Sequence, residues 1–456
     1  MTLAEAVTLA LRYNRTVESA YLNRLVEKFD LKVAQDEFSP NFNISTSISQ
    51  IHNDKQDFMN SQLGADASLK IPTGGKFNLA WTQSVTDPWH APVDGFGSDL
   101  VLSFNQPLLK GGGVDVNMAN QIFAKRQEQV NLFNLRSTLM NTITQVIYTY
   151  RNFLLAQRGI EINRLSLERS QNLLERNRIL IEEGRLARVE IIQAEADLAN
   201  QELSFRENKN SLDNTRLELL KLLDIDRHIL IEPIESIQVQ PVKLNLEKLL
   251  QVVFTNQPDY LQTKLSHKNA QTNLLLAKNN QLWELDVQAR YNITGNSDSW
   301  IEAQERAGRL GEGDYSVGLS LRIPFGDYSL EQGVVNAKVA LRQSEINLQE
   351  LKENIEIDLQ DSIRNINMQW EQVKLAQRAK ELSQQQLEIA LEKHKTGRAS
   401  NFEIVSLQNS LVSAENNEIS TKVSYLNALT NLDMMLGKTL ERWKINIDTV
   451  RKVKLP

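Results

Sequence analysis

From about Val116 to Glu183 the chain contains no proline, and its one glycine there is Gly159. Apolar residues recur through this stretch at helical spacing, among them Leu132, Leu135, Leu139, Ile143, Val146, Tyr150, Leu154 and Leu165. Such a helix, rising about 1.5 Å per residue, makes a rod of roughly 90–100 Å. An average helix has only about 11–12 residues, and no compact core has use for so long a rod. Leu132, Ile143, Leu154 and Leu165 are spaced eleven apart, and Leu348, Leu359 and Trp370 repeat that interval later in the chain. Eleven residues in three turns lies close to the natural helical twist, so rods of this kind run side by side almost straight. That geometry suits a tube of many helices better than a two-stranded rope.

The rods end at Glu183-Gly184-Arg185 and Thr396-Gly397-Arg398, and each end is followed by another amphipathic stretch, Ala187 to Leu223 and Asn401 to Leu436. Glycine enters the left-handed conformation that closes a helix and starts a reversal, so the spacing predicts two long helical hairpins. The whole plan occurs twice. An offset of 243 pairs Leu3 with Leu246 and Ala34 with Ala277, and an offset of 217 pairs Pro107 with Pro324. An offset of 213 pairs Gly184 with Gly397, Glu190 with Glu403 and Leu223 with Leu436. Two structural repeats follow, 1–223 and 246–437, separated by a linker at 224–245 and followed by a tail at 438–456. Each repeat reads helix, strands, hairpin, with strands at about 41–106 and about 284–324 and the hairpin tips near 184 and 397.

Around Pro40 and Trp283 the pattern switches from helical to alternating. Leu285, Val287, Ala289, Tyr291 and Ile293 alternate with polar residues, as do Tyr315, Val317, Leu319, Leu321 and Ile323. Phe42, Ile44, Thr46 and Ile48 alternate with Asn43, Ser45, Ser47 and Ser49, and Phe77, Leu79, Trp81 and Val85 share one face of another run. A period of two gives each strand one apolar and one polar side, and nine to eleven residues is the length of a tilted strand that crosses a bilayer. Pro72-Thr73-Gly74-Gly75 marks a turn between two such runs, giving four strands in the first repeat and two in the second. Asp87 to Pro92 and Ser297 to Asp314 read as exposed outer loops.

Composition narrows the alternatives. No run of 18 apolar residues occurs, so a membrane role requires a closed barrel and not a spanning helix. The N-terminal amphipathic helix begins at Leu3, so the sequence reads as a mature chain with no secretory signal. The net charge of −6 and the lack of a dense basic block give no footprint for nucleic acid. No cysteine is present, which excludes disulfides and cysteine metal chemistry. The five histidines are scattered, with no His-Glu-x-x-His, and Gly111-Gly112-Gly113 is not followed by the Lys-Ser/Thr pair of a phosphate loop. No catalytic constellation, metal site or cofactor is expected.

This order of segments, with the opening Leu3-Ala4-Glu5-Ala6-Val7-Thr8-Leu9-Ala10-Leu11, the strand ends Pro107-Leu108-Leu109 and Pro324-Phe325-Gly326, and the two Gly-Arg tips, resembles the TolC family of outer-membrane efflux and secretion channels. The resemblance implies an α+β membrane protein and a homotrimer located in the cell outer membrane and extending into the periplasm. Its long antiparallel coiled-coil helices would form a trimeric α-barrel joined to a transmembrane β-barrel, of 12 strands per trimer, or 18 if the extra hairpin joins. It further implies a passive exit duct of a tripartite efflux or type I secretion system, working with a periplasmic adaptor (membrane fusion) protein and an inner-membrane pump. The adaptor-docking tips carried over are Gly184, Arg185, Leu186 and Ala187, and Gly397, Arg398, Ala399 and Ser400. Glu403 and Ser406 stand at the positions of the periplasmic gate, and Ser406 replaces what is commonly a second carboxylate. A coiled-coil filament or appendage protein with β inserts is the alternative reading; duplicated strand blocks bracketed by helices argue against it.

Overall fold

The computed structural model describes residues 1–52, 57–88, 95–309, 311–396 and 398–446. In chain order the elements begin with α1 (Leu3–Tyr13), α2 (Arg15–Gln35), β1 (Asn41–His52), β2 (Asp57–Lys70), β3 (Lys76–Pro88) and β4 (Phe96–Pro107). They continue with α3 (Val114–Asn117), α4 (Ala119–Glu182), α5 (Glu190–Leu223), α6 (Leu246–Asn256), α7 (Pro258–Asn280) and β5 (Glu284–Ser297). The last are α8 (Trp300–Ala307), β6 (Asp314–Arg322), α9 (Tyr328–Lys395), α10 (Asn401–Met435) and α11 (Thr439–Arg442). The chain divides into two compact units, one of Met1–Leu25, Leu132–Gln262 and Glu350–Pro456, the other of Val26–Asn131 and Thr263–Gln349. Each unit draws on both halves of the sequence. None of the described helices is long and apolar enough to cross a membrane.

The first helix starts on a capping box, in which Thr2 Oγ1 accepts from the Glu5 amide and the Glu5 carboxylate accepts from the Thr2 amide. The sequence predicts one helix from Leu3 to Phe38, but the chain breaks it at Asn14. Asn14 is extended, and its Oδ1 accepts from the Thr16 and Val17 amides while its Nδ2 donates to the Leu222 carbonyl. The expected helix from Leu246 to Gln281 breaks likewise at Gln257, whose Oε1 accepts from the Tyr260 amide at 2.6 Å. Pro258 then opens α7, a position where a missing N–H costs nothing. Both breaks are side-chain caps set within an apolar pattern that continues through them, so periodicity alone does not reveal them.

The core of the first unit is formed by α1, α4 and α5. Along α4, Leu135, Leu139, Ile143, Val146, Tyr150 and Phe153 are buried in steps of four and three, the stripe of a straight helix. Ala6, Val7, Ala10 and Leu11 of α1 and Leu219 and Leu223 of α5 pack against that stripe. The eleven-residue series is not uniformly covered in the single chain: Ile143 and Leu154 are buried, whereas Leu132 and Leu165 are exposed.

Polar pairs fix the hairpin registers. Ser166 donates to Gln201 at 3.0 Å and Ser170 to Asp197 at 2.5 Å, each pair symmetric about the junction of residues 183 and 184. Gln201 also donates to Asn409 on α10 at 3.0 Å. Lys380 on α9 donates to Glu418 on α10 at 2.8 Å, a pair symmetric about residue 399. A slipped register would separate these partners and leave buried polar groups such as Ser166 and Ser170 unpaired.

The second unit holds one antiparallel sheet of six strands in sequential order, β1 to β6. Four strands precede and two follow the α3–α7 segment, as the sequence predicts, and the hairpin of β2 and β3 is part of the sheet. The turn joining that hairpin pairs the Ile71 amide with the Gly75 carbonyl at 2.8 Å, with Gly74 at φ +99°. Gly74 has no substitute, because a Cβ there would lie 2.4 Å from the Gly111 carbonyl oxygen. The sheet is open: β1 and β6 are its edges.

Candidate membrane-facing sheet and hairpin tips

The strand register sorts residues into two unlike faces. Across one face stand Ala65, Trp81, Leu100 and Ile293, then Phe42, Ala67, Leu79, Leu102, Tyr291 and Tyr315, then Phe77, Phe104, Ala289 and Val317. Phe77 and Phe104 stack with ring centroids 4.4 Å apart. The opposite face carries the row Ser68, Asn78, Ser103, Arg290 and Ser316, and the row Ser45, Gly64, Thr82, Asp99 and Thr294. Away from β4 and β5, where Ile293 is buried, the apolar face is bare in the single chain: Ile44 is 83% exposed, Val317 74% and Leu319 67%. Large exposed apolar patches bordered by polar residues mark contacts with lipid or protein. The sheet's edge strands also offer unpaired backbone groups, which native proteins normally protect or pair.

The segment from Ser297 to Asp314 is not the plain loop that its sequence suggests. It contains α8, which packs on the apolar face of β4 and β5 and buries Ala303 and Ala307. Ser297 donates to Glu302 at 2.6 Å, and Arg306 donates to the Asn296 carbonyl at 2.7 Å. A Cβ on Gly295 would lie 2.1 Å from the Ala303 carbonyl oxygen, so the helix backbone rests directly on the strand. The spacing of Trp300, Ala303 and Ala307 is the signal that could have disclosed this helix. The other expected loop, 87–92, falls largely outside the described residues.

At the first tip, α4 closes in a Schellman motif. The Gly184 amide donates to the Ile181 carbonyl and the Arg185 amide to the Leu180 carbonyl, with Gly184 at φ +73°. At the second tip the Arg398 amide donates to the Lys393 carbonyl at 3.0 Å, the same span of five residues. Gly397 lies outside the described residues. Arg185, Ala187, Arg398 and Ser400 are exposed, and Leu186 and Ala399 are half-buried. The tips are brought together: Arg185 Nη2 donates to the Lys395 carbonyl at 3.4 Å, and Asn401 Nδ2 donates to the Glu190 carbonyl at 3.5 Å.

The second return helix starts where the sequence predicts, because Ser400 Oγ accepts from the Glu403 amide at 3.2 Å. The first starts at Glu190 instead of Ala187; Val189 stands at its cap and supplies no side-chain acceptor. Glu403 and Ser406 share an exposed face of α10, while Asn401, Ile404 and Gln408 turn inward. Ile404 packs with Leu173, Leu387, Ala390 and Leu411 in a small core behind the tips. Asn177 and His394 are also buried, polar positions that nothing in the helical pattern marks as interior.

Farther up the hairpins, Arg169 approaches Glu415 at 3.8 Å, and Glu418 takes Lys380 and Lys422 at 2.8 and 2.5 Å. Burial pushes the Glu418 carboxyl up, but the bonds and charges of the two lysines outweigh it and hold the group below the usual carboxylate range. Burial pushes Glu415 above that range, against the opposing pull of Arg169 and Lys380.

A two-faced sheet joined to paired helical hairpins, both given in two blocks along the chain, defines the TolC-like fold. Solved structures of channel proteins share it along nearly their whole length. A CusC structure, described as concerning transmembrane channel formation, is 15% identical with a TM-score of 0.71, covering 95% of this chain and 92% of its own. The Campylobacter jejuni CmeC outer membrane channel is 16% identical with a TM-score of 0.71, covering 98% and 90%. The Vibrio cholerae outer membrane protein VceC is 14% identical with a TM-score of 0.71, covering 95% and 96%. At these identities the likeness is one of fold. No protein-family model and no curated protein matches the sequence.

Proposed function

We propose that this chain is one subunit of a homotrimeric outer-membrane channel that extends into the periplasm and carries exported substrates passively through both. The observation that carries the reading is the sheet: one face apolar and bare outside the footprint of α8, the other polar, with both edges open. Joining β6 of one copy to β1 of the next pairs the free backbone groups, puts the apolar face toward lipid and the polar face around a lumen. Six strands per copy make 18 in the closed barrel. The long hairpins α4–α5 and α9–α10 of three copies form the periplasmic tube, each repeat supplying one hairpin. The matching i−5 closures at Arg185 and Arg398, and the matching caps at Asn14 and Gln257, support the duplicated plan.

The two tips dock a periplasmic adaptor protein through Gly184, Arg185, Leu186 and Ala187, and through Gly397, Arg398, Ala399 and Ser400, and the adaptor links the channel to an inner-membrane pump in a tripartite export system. Glu403, with Ser406 beside it, lines the periplasmic mouth. Three copies of Glu403 near one axis concentrate negative charge in a narrow space and favour cations. Opening is then a change in helix packing at the tips, with no covalent chemistry.

Seam cross-linking tests the closure. With Ser45→Cys on β1 and, in turn, Ser316→Cys, Gly318→Cys or Ser320→Cys on β6, oxidation in lipid is expected to yield covalent dimers and closed trimers for the position in register. Monomer alone at every position would refute closure by this seam.

A further inference from the structure

We infer that α8 is a membrane-surface collar: it lies on the outside wall of the barrel, with Trp300 and Ile301 seated at the boundary between lipid headgroups and acyl chains. This rests on the channel reading, and it follows from three observations. First, α8 packs on the apolar face, since Gly295, directly beneath the Ala303 carbonyl, alternates with Ile293 and Tyr291 on that side of β5. A helix on that face stands outside the barrel and not in its lumen.

Second, strand length fixes its height. From Leu285 to Ile293 the strand takes eight steps, roughly 27 Å at about 3.4 Å each. A tilt of about 35–45° turns this into roughly 20 Å, most of an apolar band about 25 Å tall. By Gly295, at the end of the sheet away from the Ile71–Gly75 turn, the strand has left the hydrocarbon. There the apolar face becomes mixed, with Gln83, Ser98, Gly295 and Ser297 standing among Val85 and Phe96 where the rows below are aliphatic and aromatic. Glu302 and Arg306, which would be costly deeper in the membrane, are placed where water and headgroups reach them.

Third, α8 leaves two apolar side chains exposed, Ile301 on its outward face and Trp300 at its flank. Ala303 and Ala307 face the sheet, whereas Trp300 is 46% exposed and Ile301 62% exposed. Tyr315, at the start of β6, continues this surface down onto the bare apolar face. The surface is continuous with the proposed lipid wall, and a tryptophan at its upper margin matches the chemistry of an interfacial belt. The partner is therefore the bilayer surface and not a protein. The collar also covers β5 where β6 is too short to pair it, from Ile293 to Ser297.

The chain has no cysteine, so single nitroxide labels can be placed on the full-length protein in phospholipid vesicles. Ile301→Cys reports the collar, Val317→Cys the barrel wall, and Ser316→Cys the polar face of the sheet. Collisions with oxygen, which partitions into lipid, are compared with those of a water-soluble nickel chelate. Oxygen is expected to prevail at 301 and 317, and the chelate at 316. A lipid-exposed 317 with a chelate-exposed 301 would overturn the collar and leave the barrel standing. A chelate-exposed 317 would overturn both.

Discussion

Arg185, in the turn after α4, donates to the main-chain carbonyl of Lys395 at the end of α9, 3.4 Å away, while its other terminal nitrogen pairs with Glu183 at 3.3 Å. One side chain thus ties the tip of the first hairpin to the tip of the second. The bond is exposed, so its net worth is about 0.5 kcal/mol or less, and its effect is on tip geometry more than on stability. Arg185→Ala is expected to leave the thermal melt within about 0.5 kcal/mol of the parent. The spin-label distance between Arg188→Cys and Glu392→Cys is expected to broaden. An unchanged distribution would show that the bond does not hold the tips together.

Gly184 and Gly437 both adopt positive φ, at +73° and +66°, but their surroundings differ. A Cβ on Gly184 meets nothing within 4 Å, whereas one on Gly437 would lie 2.5 Å from the Asn256 carbonyl oxygen. Gly184→Ala is therefore expected to cost only the conformational strain, about 1 kcal/mol. Gly437→Ala adds a backbone clash and is expected to cost at least about 2 kcal/mol. Denaturant midpoints of the two variants check the order, and equal losses would contradict it.

Gly295→Val places side-chain atoms where the backbone of α8 sits. The variant is expected to lift α8, expose Ala303 and Ala307, and increase proteolysis between β5 and β6, with the remaining strands intact. Protease resistance equal to the parent would show that α8 does not depend on this glycine.

Glu418 gives the helical unit a pH signature. Its carboxyl is held below the usual range by Lys380 and Lys422, so its stabilising share is complete above the unfolded-state value and is lost as pH falls through the folded one. The parent loses this share as the pH falls from the ordinary glutamate range through the lower folded value. Glu418→Gln is expected to be less stable at neutral pH by about 1–3 kcal/mol and to show a shallower loss over that window. Glu415, pushed up by burial, works in the opposite sense: its share grows as the pH falls, so Glu415→Gln is expected to steepen the acid loss. Parallel acid profiles for all three proteins would contradict both assignments.

Much of this architecture was legible in the residues because its two periods are so different. Alternation in Leu285–Ile293 and Tyr315–Leu321 gave the strand faces, and the Gly184-Arg185 reversal gave a tip. The breaks at Asn14 and Gln257 were hidden, because a single side-chain cap interrupts the backbone without disturbing the apolar stripe. Helix α8 was hidden by its shortness and by Gly295, whose meaning lies in the close approach of a segment above it. The burial of Asn177 and His394 was hidden, since a polar side chain buried among hairpins has no sequence mark. Glu403 and Ser406 came from the resemblance alone, since nothing in the helical pattern singles them out; the structure puts both on one exposed face of α10.

The central claim is that the two-faced sheet closes into a conducting wall in lipid. Planar-bilayer recording of the purified full-length oligomer tests it most directly. Discrete, stable conductance steps are expected, with the cation preference reduced in Glu403→Gln. Bilayers whose resistance stays unchanged at every protein concentration, from preparations shown to be inserted, would contradict it.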